Sequence, residues 1–433
     1  MSSKKIQHLD DFIYPHFEKW DKRRTNIKFN MANIHYSMAN ALRRIMIAEV
    51  NTIAFRDKPH AASSIQIKIN NTPHNNEQLA HRIALVPINI AYPEKFKIDD
   101  YLFIIDVSND NNNVRYITSG DFKIKYIPSG KFLDEKDVRR FFPVDPLTGD
   151  FSIISVLKSR NYIKIPNNPE LANMIPKDKN DEINHLYIEA KVTIGNCCAG
   201  TDNSHYSPVC VSSYINKVNQ KLADEGFVSY LVSQKYIAEI KKITPDTDEF
   251  LRKRFDINES YKFYYKDDRG EPNLFTYEIE SVGIIPPLII FNRAIDVLKT
   301  KIINLLNNLI SKNEDIITHE PSKNVQGFEI FVNHEDDTLG NIIQYHLCRM
   351  YADYSIPEDK RLLQTIGYIR IHPCERRIRF LVASDKYPNY DDIIKNIFKP
   401  GCMEIINLLN TIQKELHDTT QYIEEAKTIS HSI

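Results

Sequence analysis

Three groups of residues in the sequence combine side chains that could do chemistry. The first contains Cys197, Cys198, His205 and Cys210, whose thiols and imidazole are ligands that zinc prefers. Adjacent cysteines point in different directions, and their spacing matches none of the usual zinc-binding patterns. The sequence therefore does not predict a metal site here.

The second group is the acidic run 334–337 (HEDD), which could bind a metal or transfer protons. It stands directly before a predicted helix, where acidic side chains are favoured by the helix dipole. The third group, His372, Cys374 and Glu375, lies between two predicted strands without a further residue to orient a nucleophile and base. The sequence also lacks GxSxG, HExxH and P-loop motifs, so it predicts no active site and no cofactor.

Composition narrows the class of protein. The 433 residues exceed what one hydrophobic core usually organises, so we expect two or three domains. Lysine and arginine total 56 against 57 acidic residues, which gives no general electrostatic reason to bind nucleic acid. Short basic clusters at 19–24 and 376–379 are typical of solvated surface. Without a membrane-length apolar run or a signal peptide, the chain is expected to be intracellular, with six reduced cysteines.

A helix predicted from Tyr36 to Val50 must organise the chain. Its apolar residues recur at three- and four-residue spacing and form one stripe, which includes Met38, Ala41, Leu42, Ile45 and Met46. Ser37 is the expected N-cap, because its hydroxyl can accept from a free amide of the first turn. Arg43 and Arg44 lie beside the stripe, so the helix can bury one face and offer two cations to a partner.

The same pattern occurs again later in the chain. Residues 338–341 (TLGN) repeat the order of residues 37–40 (SMAN), and an alternating apolar strand precedes both segments in the same register. The sequence INLLN also occurs twice, at 303–307 and 406–410, inside amphipathic helical runs. Three matches in the same order predict two related units in one polypeptide.

We therefore predict an α+β fold of two related strand-helix-strand units, with a β-rich domain inserted into the first. The expected divisions are an N-terminal extension (1–25), the first unit (26–91 and 188–310), the inserted domain (92–187), a polar linker (311–325), the second unit (326–427) and a tail (428–433). Within the first unit we expect a strand at 85–90 and a charged, partly helical connector at 217–270.

Several motifs resemble a known protein family. The segments NALRRIMIAEVNTIAF, LAHRIALVPI, HYSPV and FTYEIESVGIIPP resemble the alpha-type (third) assembly subunit of multisubunit DNA-directed RNA polymerases. The segments FVNHEDDTLGN and IGYIRIHPCERRIRF resemble its small partner, the eleventh subunit. Both types in one polypeptide resemble the fused subunit of large cytoplasmic DNA viruses.

The resemblance implies that the two units pair within the chain as an intramolecular pseudo-dimer and do not form homodimers. Helices 37–50 and 288–310 would pack against helices 338–350 and 400–427, with a linker that keeps the units at high effective concentration. The implied pairing residues are Leu42, Ile45, Met46, Leu298, Leu339, Ile342, Ile343, Leu409 and Ile412.

The resemblance also implies a non-catalytic role in assembling the polymerase. The implied partners are the two largest subunits, especially the second largest, and small polymerase subunits, with DNA reached only through the complex. The implied partner-contact residues are Asn40, Arg43, Arg44, His81, Arg82, His205, Ser207 and Pro208. The location would be the viral factory and the virion, or otherwise the nucleus. Some relatives hold a metal in the inserted domain, but residues 92–187 contain no cysteine.

Two other functions stay open from the sequence. A stand-alone nucleic-acid-binding transcription regulator could use the basic clusters, and its DNA affinity would then depend on salt. An enzyme could use Cys197 or Cys198 as its nucleophile, although the sequence offers no orienting base nearby.

Overall fold

The computed structural model describes residues 13–14, 25–90, 92–111, 113–142, 144–145, 148–158, 184–199, 203–241, 246–323 and 325–430. Most of the expected N-terminal extension, with the basic cluster 19–24, lies outside the described residues, as does the end of the tail. Among the helices of the described part, none is both long enough and apolar enough to cross a membrane.

The described chain forms a mixed fold of strands and helices. The strands are β1 (Ile13–Tyr14), β2 (Asn26–Ala32), β3 (Thr52–Phe55), β4 (Ile65–Asn70), β5 (Tyr101–Asn109), β6 (Arg115–Thr118), β7 (Phe122–Tyr126), β8 (Lys131–Phe132), β9 (Ile153–Leu157), β10 (Asn184–Ala190), β11 (Val192–Gly195), β12 (Val209–Asn216), β13 (Leu274–Ser281), β14 (Ile317–Pro321), β15 (Gly327–Asn333), β16 (Thr365–Arg370) and β17 (Arg377–Ala383). The helices are α1 (Tyr36–Ala48), α2 (Asn76–Ala84), α3 (Glu135–Phe141), α4 (Gln220–Lys241), α5 (Asp248–Asn258), α6 (Pro287–Ser311), α7 (Asp337–Leu347), α8 (Tyr390–Ile393), α9 (Lys399–His417) and α10 (Thr420–Ser430).

A four-stranded antiparallel sheet, in the order β1-β2-β13-β12, forms the base of the first unit. Alternation along β2 turns Phe29 and Met31 inward, and Phe29 stacks on Tyr277 of β13 with ring centroids 5.4 Å apart. The buried Tyr277 hydroxyl donates to the carbonyl oxygen of Ala39 in α1 at 2.7 Å. The strand and the helix predicted from periodicity are therefore confirmed, and they pack directly on each other.

The start of α1 differs from the sequence expectation. The helix begins at Tyr36, so Ser37 lies inside the first turn, and the N-cap is His35. The Nδ1 atom of His35 accepts from the Ser37 backbone N–H at 3.2 Å. The expectation that Ser37 is the N-cap is wrong because the imidazole of His35 already satisfies that first-turn amide.

The second unit repeats the plan of the first. Its sheet has the order β14-β15-β17-β16, and α7 follows β15 as α1 follows β2. In each unit the residue after the strand turns the chain in the left-handed region, with φ of 57° at Asn33 and 65° at His334. These two residues hold the same place in the sequence repeat, so the repeat found in the sequence is also a repeat of backbone conformation.

One hydrophobic cluster runs through both units. Helix α1 contacts α7, and α6 contacts α9, so helices from the two units share a single buried interior. Fully burying one leucine- or isoleucine-sized side chain contributes roughly 1.5–3 kcal/mol. The shared interior therefore stabilises the units together.

A second core belongs to the β-rich part, whose main sheet has the order β4-β10-β5-β7-β8. The expected division at residue 92 is wrong, because β4 and α2 pack in this second core and not in the first. Strand β10 lies between β4 and β5 in the sheet, so it also belongs to this part. The β-rich part therefore begins at β3, which pairs with β11.

Three further expectations are resolved by the structure. Residues 85–90 form no strand: Val86, Ile88 and Ile90 are buried, but they lie outside the ladders of the described sheets. The expected linker 311–325 contains β14, an edge strand that pairs with β15. Ile317 of β14 is buried, and its other side chains are exposed. The connector 217–270 contains α4 and α5, which confirms that it is partly helical.

Candidate subunit-contact site

The nine residues expected to pair the units are all buried in the shared hydrophobic cluster. Helix α1 contributes three of them and α6 one, whereas α7 contributes three and α9 two: Leu42, Ile45, Met46, Leu298, Leu339, Ile342, Ile343, Leu409 and Ile412. The side chains come from both units, and each is at most 2% exposed. This arrangement brings together every residue of the expected pairing set.

Arg44 is used inside the chain. Its Nη2 lies 3.0 Å from Asp336 Oδ2, and its Nε donates to the Thr338 hydroxyl at 2.8 Å. Burial raises the pKa of Asp336, but hydrogen bonds from Thr338 and the charge of Arg44 outweigh burial, so the pKa is lowered overall. The Arg44 guanidinium thus joins α1 to the start of α7 while 35% of its side chain stays exposed, and its expected contact with another subunit stays a prediction.

A second polar contact joins the units at the C-terminal end of α1. Lys301 of α6 lies 2.8 Å from a carboxylate oxygen of Glu49 and 3.0 Å from one of Glu335. Burial lowers the pKa of Lys301, but the two carboxylates outweigh burial and raise it overall. The pKa of Glu335 is raised, because burial outweighs its attraction to Lys301. One largely buried cation thus bridges two carboxylates from the two units.

A third contact between the units is aromatic, and sequence reasoning missed it. The imidazole of His35 stacks on the ring of Tyr345 in α7, with centroids 3.3 Å apart and planes inclined by 2°. Burial lowers the pKa of His35 to about 3, so the stacked ring is neutral at physiological pH. The available signal was the repeat itself, because His35 and Asp336 are equivalent residues that precede equivalent helices.

Arg43 and Asn40 lie on the half-buried side of α1, away from these contacts. Arg43 donates through Nε and Nη2 to Asn40 Oδ1 at 3.0 and 2.9 Å. A single amide oxygen thus holds the planar guanidinium beside the helix. The hydroxyl of Ser212 in β12 lies 3.4 Å from the Arg43 carbonyl oxygen, which joins this part of α1 to the edge of the first sheet.

His81, Asp57 and His205 form a row from the surface inward. The half-exposed His81 ring lies 3.0 Å from the buried Asp57 carboxylate, and His205 Nδ1 lies 3.8 Å from the other oxygen of that carboxylate. The His205 side chain is 1% exposed, and burial lowers its pKa. The imidazole is therefore covered in the structure, and the expected contact of His205 with a partner stays a prediction.

His205 lines an apolar cavity of about 150 Å³ between four segments of the chain. The cavity wall includes the half-buried Ser207 and the buried Pro208, together with the exposed Leu85 at its edge. Ser207 donates to the Val209 carbonyl oxygen at 3.0 Å, which fixes the loop. Pro208 acts as packing, so the expected contact residues of this loop shape the cavity more than they form a surface.

Arg82 connects α2 to β9 within the β-rich part. Its Nε and Nη2 donate to the carbonyl oxygens of Ile154 and Ile153 at 2.5 and 3.2 Å. The residue is exposed, so its outer side stays accessible while its nitrogen donors are partly used. The structure therefore gives Arg82 a role in joining two elements of the chain, in addition to the expected contact with a partner.

Two of the candidate chemical groups of the sequence have a clear structural setting, namely the half-buried thiols of Cys197 and Cys198 and the acidic run 334–337. Burial raises the pKa of the Cys197 thiol to about 11 and raises that of Cys198, so both thiols are protonated at neutral pH. In the part of the chain that the structure describes, no three His, Cys, Asp or Glu side chains are grouped so that they could hold a metal ion. The acidic run 334–337 starts α7, with Asp336 as its N-cap.

Comparison with known proteins identifies relatives of this chain. Residues 28–302 match the model of a family described as the RNA polymerase Rpb3/Rpb11 dimerisation domain. The chain is 24% identical over 328 residues to a conjugation stage-specific protein of Tetrahymena thermophila, which covers 66% of this chain and 92% of that protein.

Two further relatives are named as polymerase subunits. The chain is 25% identical over 309 residues to human DNA-directed RNA polymerases I and III subunit RPAC1, covering 66% of this chain and 81% of that protein. It is 28% identical over 130 residues to the DNA-directed RNA polymerase subunit Rpo3 of Pyrococcus furiosus, covering 29% and 42%. Because the matched residues 28–302 are well over half of its length, the chain belongs to the RNA polymerase Rpb3/Rpb11 dimerisation domain family and is homologous to alpha-type polymerase subunits.

Proposed function

We propose that this protein is a non-catalytic scaffold subunit on which a DNA-directed RNA polymerase assembles. The proposal is supported by the packing of α1 and α6, which lie mostly within the matched dimerisation domain, against α7 and α9 of the same chain in one hydrophobic core. A dimerisation surface covered in this way leaves the rest of the first unit available to larger subunits. Its partners are the two largest polymerase subunits, especially the second largest, and small polymerase subunits.

The second unit acts as the small-partner subunit within the same polypeptide, so that the chain is an intramolecular pseudo-dimer and not a homodimer. The identical strand order of the two sheets supports this part of the proposal, as do the left-handed residues Asn33 and His334 at equivalent positions. The matched residues end within α6, so the argument for the second unit depends on this internal repeat. Such a fusion points to a viral polymerase, located in the cytoplasmic viral factory and in the virion.

The docking face proposed for the second-largest subunit combines Arg43 with the surface around His81 and Ser207. Arg43 is held by Asn40 beside α1 and presents a planar guanidinium, which suits bidentate binding of a carboxylate or a pair of carbonyl oxygens. Arg44 and His205 support this face from within the chain. DNA is reached only through the assembled complex.

Co-purification tests the proposal. The tagged chain is expressed with the two large subunits, and both are expected to be captured with it. Arg43→Glu is expected to reduce capture of the second-largest subunit at least tenfold, because a carboxylate replaces the guanidinium at the docking face. Lys253→Glu is the matched control, since Lys253 is an exposed helical cation on α5 that pairs only with Glu249 among the ion pairs of the described residues.

The stability of the Arg43→Glu chain is measured in parallel, and its unfolding midpoint is expected to stay close to that of the wild type. If the wild-type chain captures neither large subunit, the proposed function is wrong. If Arg43→Glu and Lys253→Glu capture the second-largest subunit equally well, the chain still serves as a scaffold, but the docking face lies elsewhere.

A further inference from the structure

Two contacts between α1 and α7 occupy equivalent places in the two units but differ in chemistry. The sequence repeat makes His35 equivalent to Asp336 and Arg44 equivalent to Tyr345. Arg44 of the first unit contacts Asp336 of the second, and Tyr345 of the second contacts His35 of the first. One pair of positions is thus used twice, in opposite directions, as an interface with two-fold symmetry requires.

The first contact is a charged hydrogen-bonded pair. The Arg44 guanidinium reaches both the Asp336 carboxylate and the Thr338 hydroxyl, and the Asp336 side chain is only 14% exposed. Removing one partner from such a pair leaves a partly buried charge without compensation, which costs far more than the loss of an exposed pair.

The second contact is a neutral ring stack. His35 carries no charge at neutral pH, and its side chain is 4% exposed between Tyr345 and the start of α1. Glu271 lies 3.3 Å from the His35 Nε2, and the Tyr345 hydroxyl accepts from Arg349 at 2.8 Å. The two contacts are therefore made of different groups, although the backbone around them repeats.

We propose that this difference makes each unit pair with the other unit in preference to a second copy of itself. In a pair of two first units, Arg44 would face the neutral His35 ring twice, and both arginines would lose their carboxylate. In a pair of two second units, Asp336 would face Tyr345 twice, without a cation. Only the mixed pair satisfies all four residues. The inference depends on the proposed pairing and adds to it a rule of partner choice.

Exchange variants test this rule, because each residue moves only to its equivalent position. The first-unit exchange is His35→Asp with Arg44→Tyr, and the second-unit exchange is Asp336→His with Tyr345→Arg. Histidine and aspartate both cap these helices in the natural chain, so the exchange keeps a capping side chain at each helix start. The fourfold exchange combines both sets. The charged pair and the ring stack then form again, each at the position that the other occupies in the wild-type chain.

The expected results concern stability and mass. Each single-unit exchange lowers the unfolding temperature of the full chain, whereas the fourfold exchange recovers most of the loss. When the two single-unit exchanges are co-expressed with different tags, they capture each other in a complex of two chains, each 50.5 kDa, in which matched units pair reciprocally. If each mismatch weakens the pairing of the two units within a chain about 30-fold, the complex gains this factor at both of its matched interfaces, about 1,000-fold in all. Its dissociation constant then falls from the millimolar range set by the tether to about 1 µM.

A matched control uses the neighbouring equivalent residues Tyr36 and Asp337. Both are about 40% exposed, and the Tyr36 ring lies beside the His35 ring with centroids 3.8 Å apart. Exchanging them changes the same helix starts but leaves the four residues of the two contacts in place. Co-expressed Tyr36→Asp and Asp337→Tyr chains are expected to remain monomeric and not to capture each other.

The rule of partner choice is wrong if the single-unit exchanges keep wild-type stability and do not capture each other, or if the fourfold exchange fails to recover stability. Capture of the large subunits by the wild-type chain is scored separately. A wild-type chain that captures them while the exchanges have no effect retains the proposed function without this rule. If the exchanges behave as expected but the wild-type chain captures neither large subunit, the pairing rule holds and the role in the polymerase is wrong.

Discussion

Replacing Lys301 tests how strongly the polar bridge holds the two units together. Lys301→Met keeps most of the side-chain volume but removes the cation between Glu49 and Glu335, which are 12% and 20% exposed. Breaking a buried ion pair by removing one partner costs about 3–5 kcal/mol, and the partial exposure here favours the lower end, about 3 kcal/mol. The two carboxylates would then face each other at close range.

The variant should also change the pH dependence of stability. Burial already raises the pKa of Glu335, and loss of Lys301 raises it further in the folded chain. A group whose folded pKa is raised contributes stability at low pH and loses it as pH rises through that pKa, so the defect is larger at pH 8 than at pH 5. Urea unfolding followed by circular dichroism at both pH values measures this difference.

Lys253→Met is the control for this experiment. Lys253 also pairs with a glutamate, Glu249, at 2.8 Å, but both side chains are more than 70% exposed, so its loss should change stability by less than about 0.5 kcal/mol. A Lys301→Met chain that unfolds within about 0.5 kcal/mol of the wild type at pH 8 would refute the reasoning, because the bridge would then contribute no more than a surface pair.

Two other predictions concern residues of the shared core and the second sheet. Both carboxylate oxygens of Glu415 in α9 are buried without a hydrogen-bond partner in the described structure, and burial raises its pKa to about 7. Because the folded pKa of Glu415 exceeds its usual value, the chain loses stability as pH rises toward 7. Glu415→Gln should therefore stabilise the chain by roughly 1–3 kcal/mol at pH 8 but not at pH 4. Urea titrations at the two pH values measure this difference. Gly327→Ala should lower the free energy of unfolding by about 2 kcal/mol or more, because a Cβ at this position would overlap the Val382 carbonyl oxygen of the neighbouring strand. Gly367→Ala is the control, since the space around its Cβ is open, and it should cost less than about 1 kcal/mol. Thermal unfolding of both variants measures the difference.

Periodicity predicted the elements that carry the shared core. The apolar stripe of α1 and the alternation of β2 are both satisfied by burial on one face, which is what a local pattern can report. The repeat was visible for the same reason, because equivalent elements need equivalent apolar residues at Leu42 and Ile343.

Long-range choices were beyond the reach of these patterns. Strand β4 alternates in the same way whether it joins the first sheet or the β-rich part, so sequence could not place the boundary that the structure gives. The apolar alternation of Val86, Ile88 and Ile90 reports burial but not a strand partner.

The same limit applies to the candidate site. Arg44 and Arg43 are adjacent and chemically identical, and only the position of Asp336 in the other unit decides that Arg44 forms the pair between the units. The buried His205 is likewise indistinguishable in sequence from an exposed loop histidine. Sequence could therefore name the residues of the site, but it could not say which of them face a partner.

The most direct test of the central claim is the mass of the complexes captured with the tagged chain from its native source. We expect an assembly that contains both large polymerase subunits and a single copy of this chain. Recovery of the chain without the large subunits, or with two copies of itself in the assembly, would contradict the account.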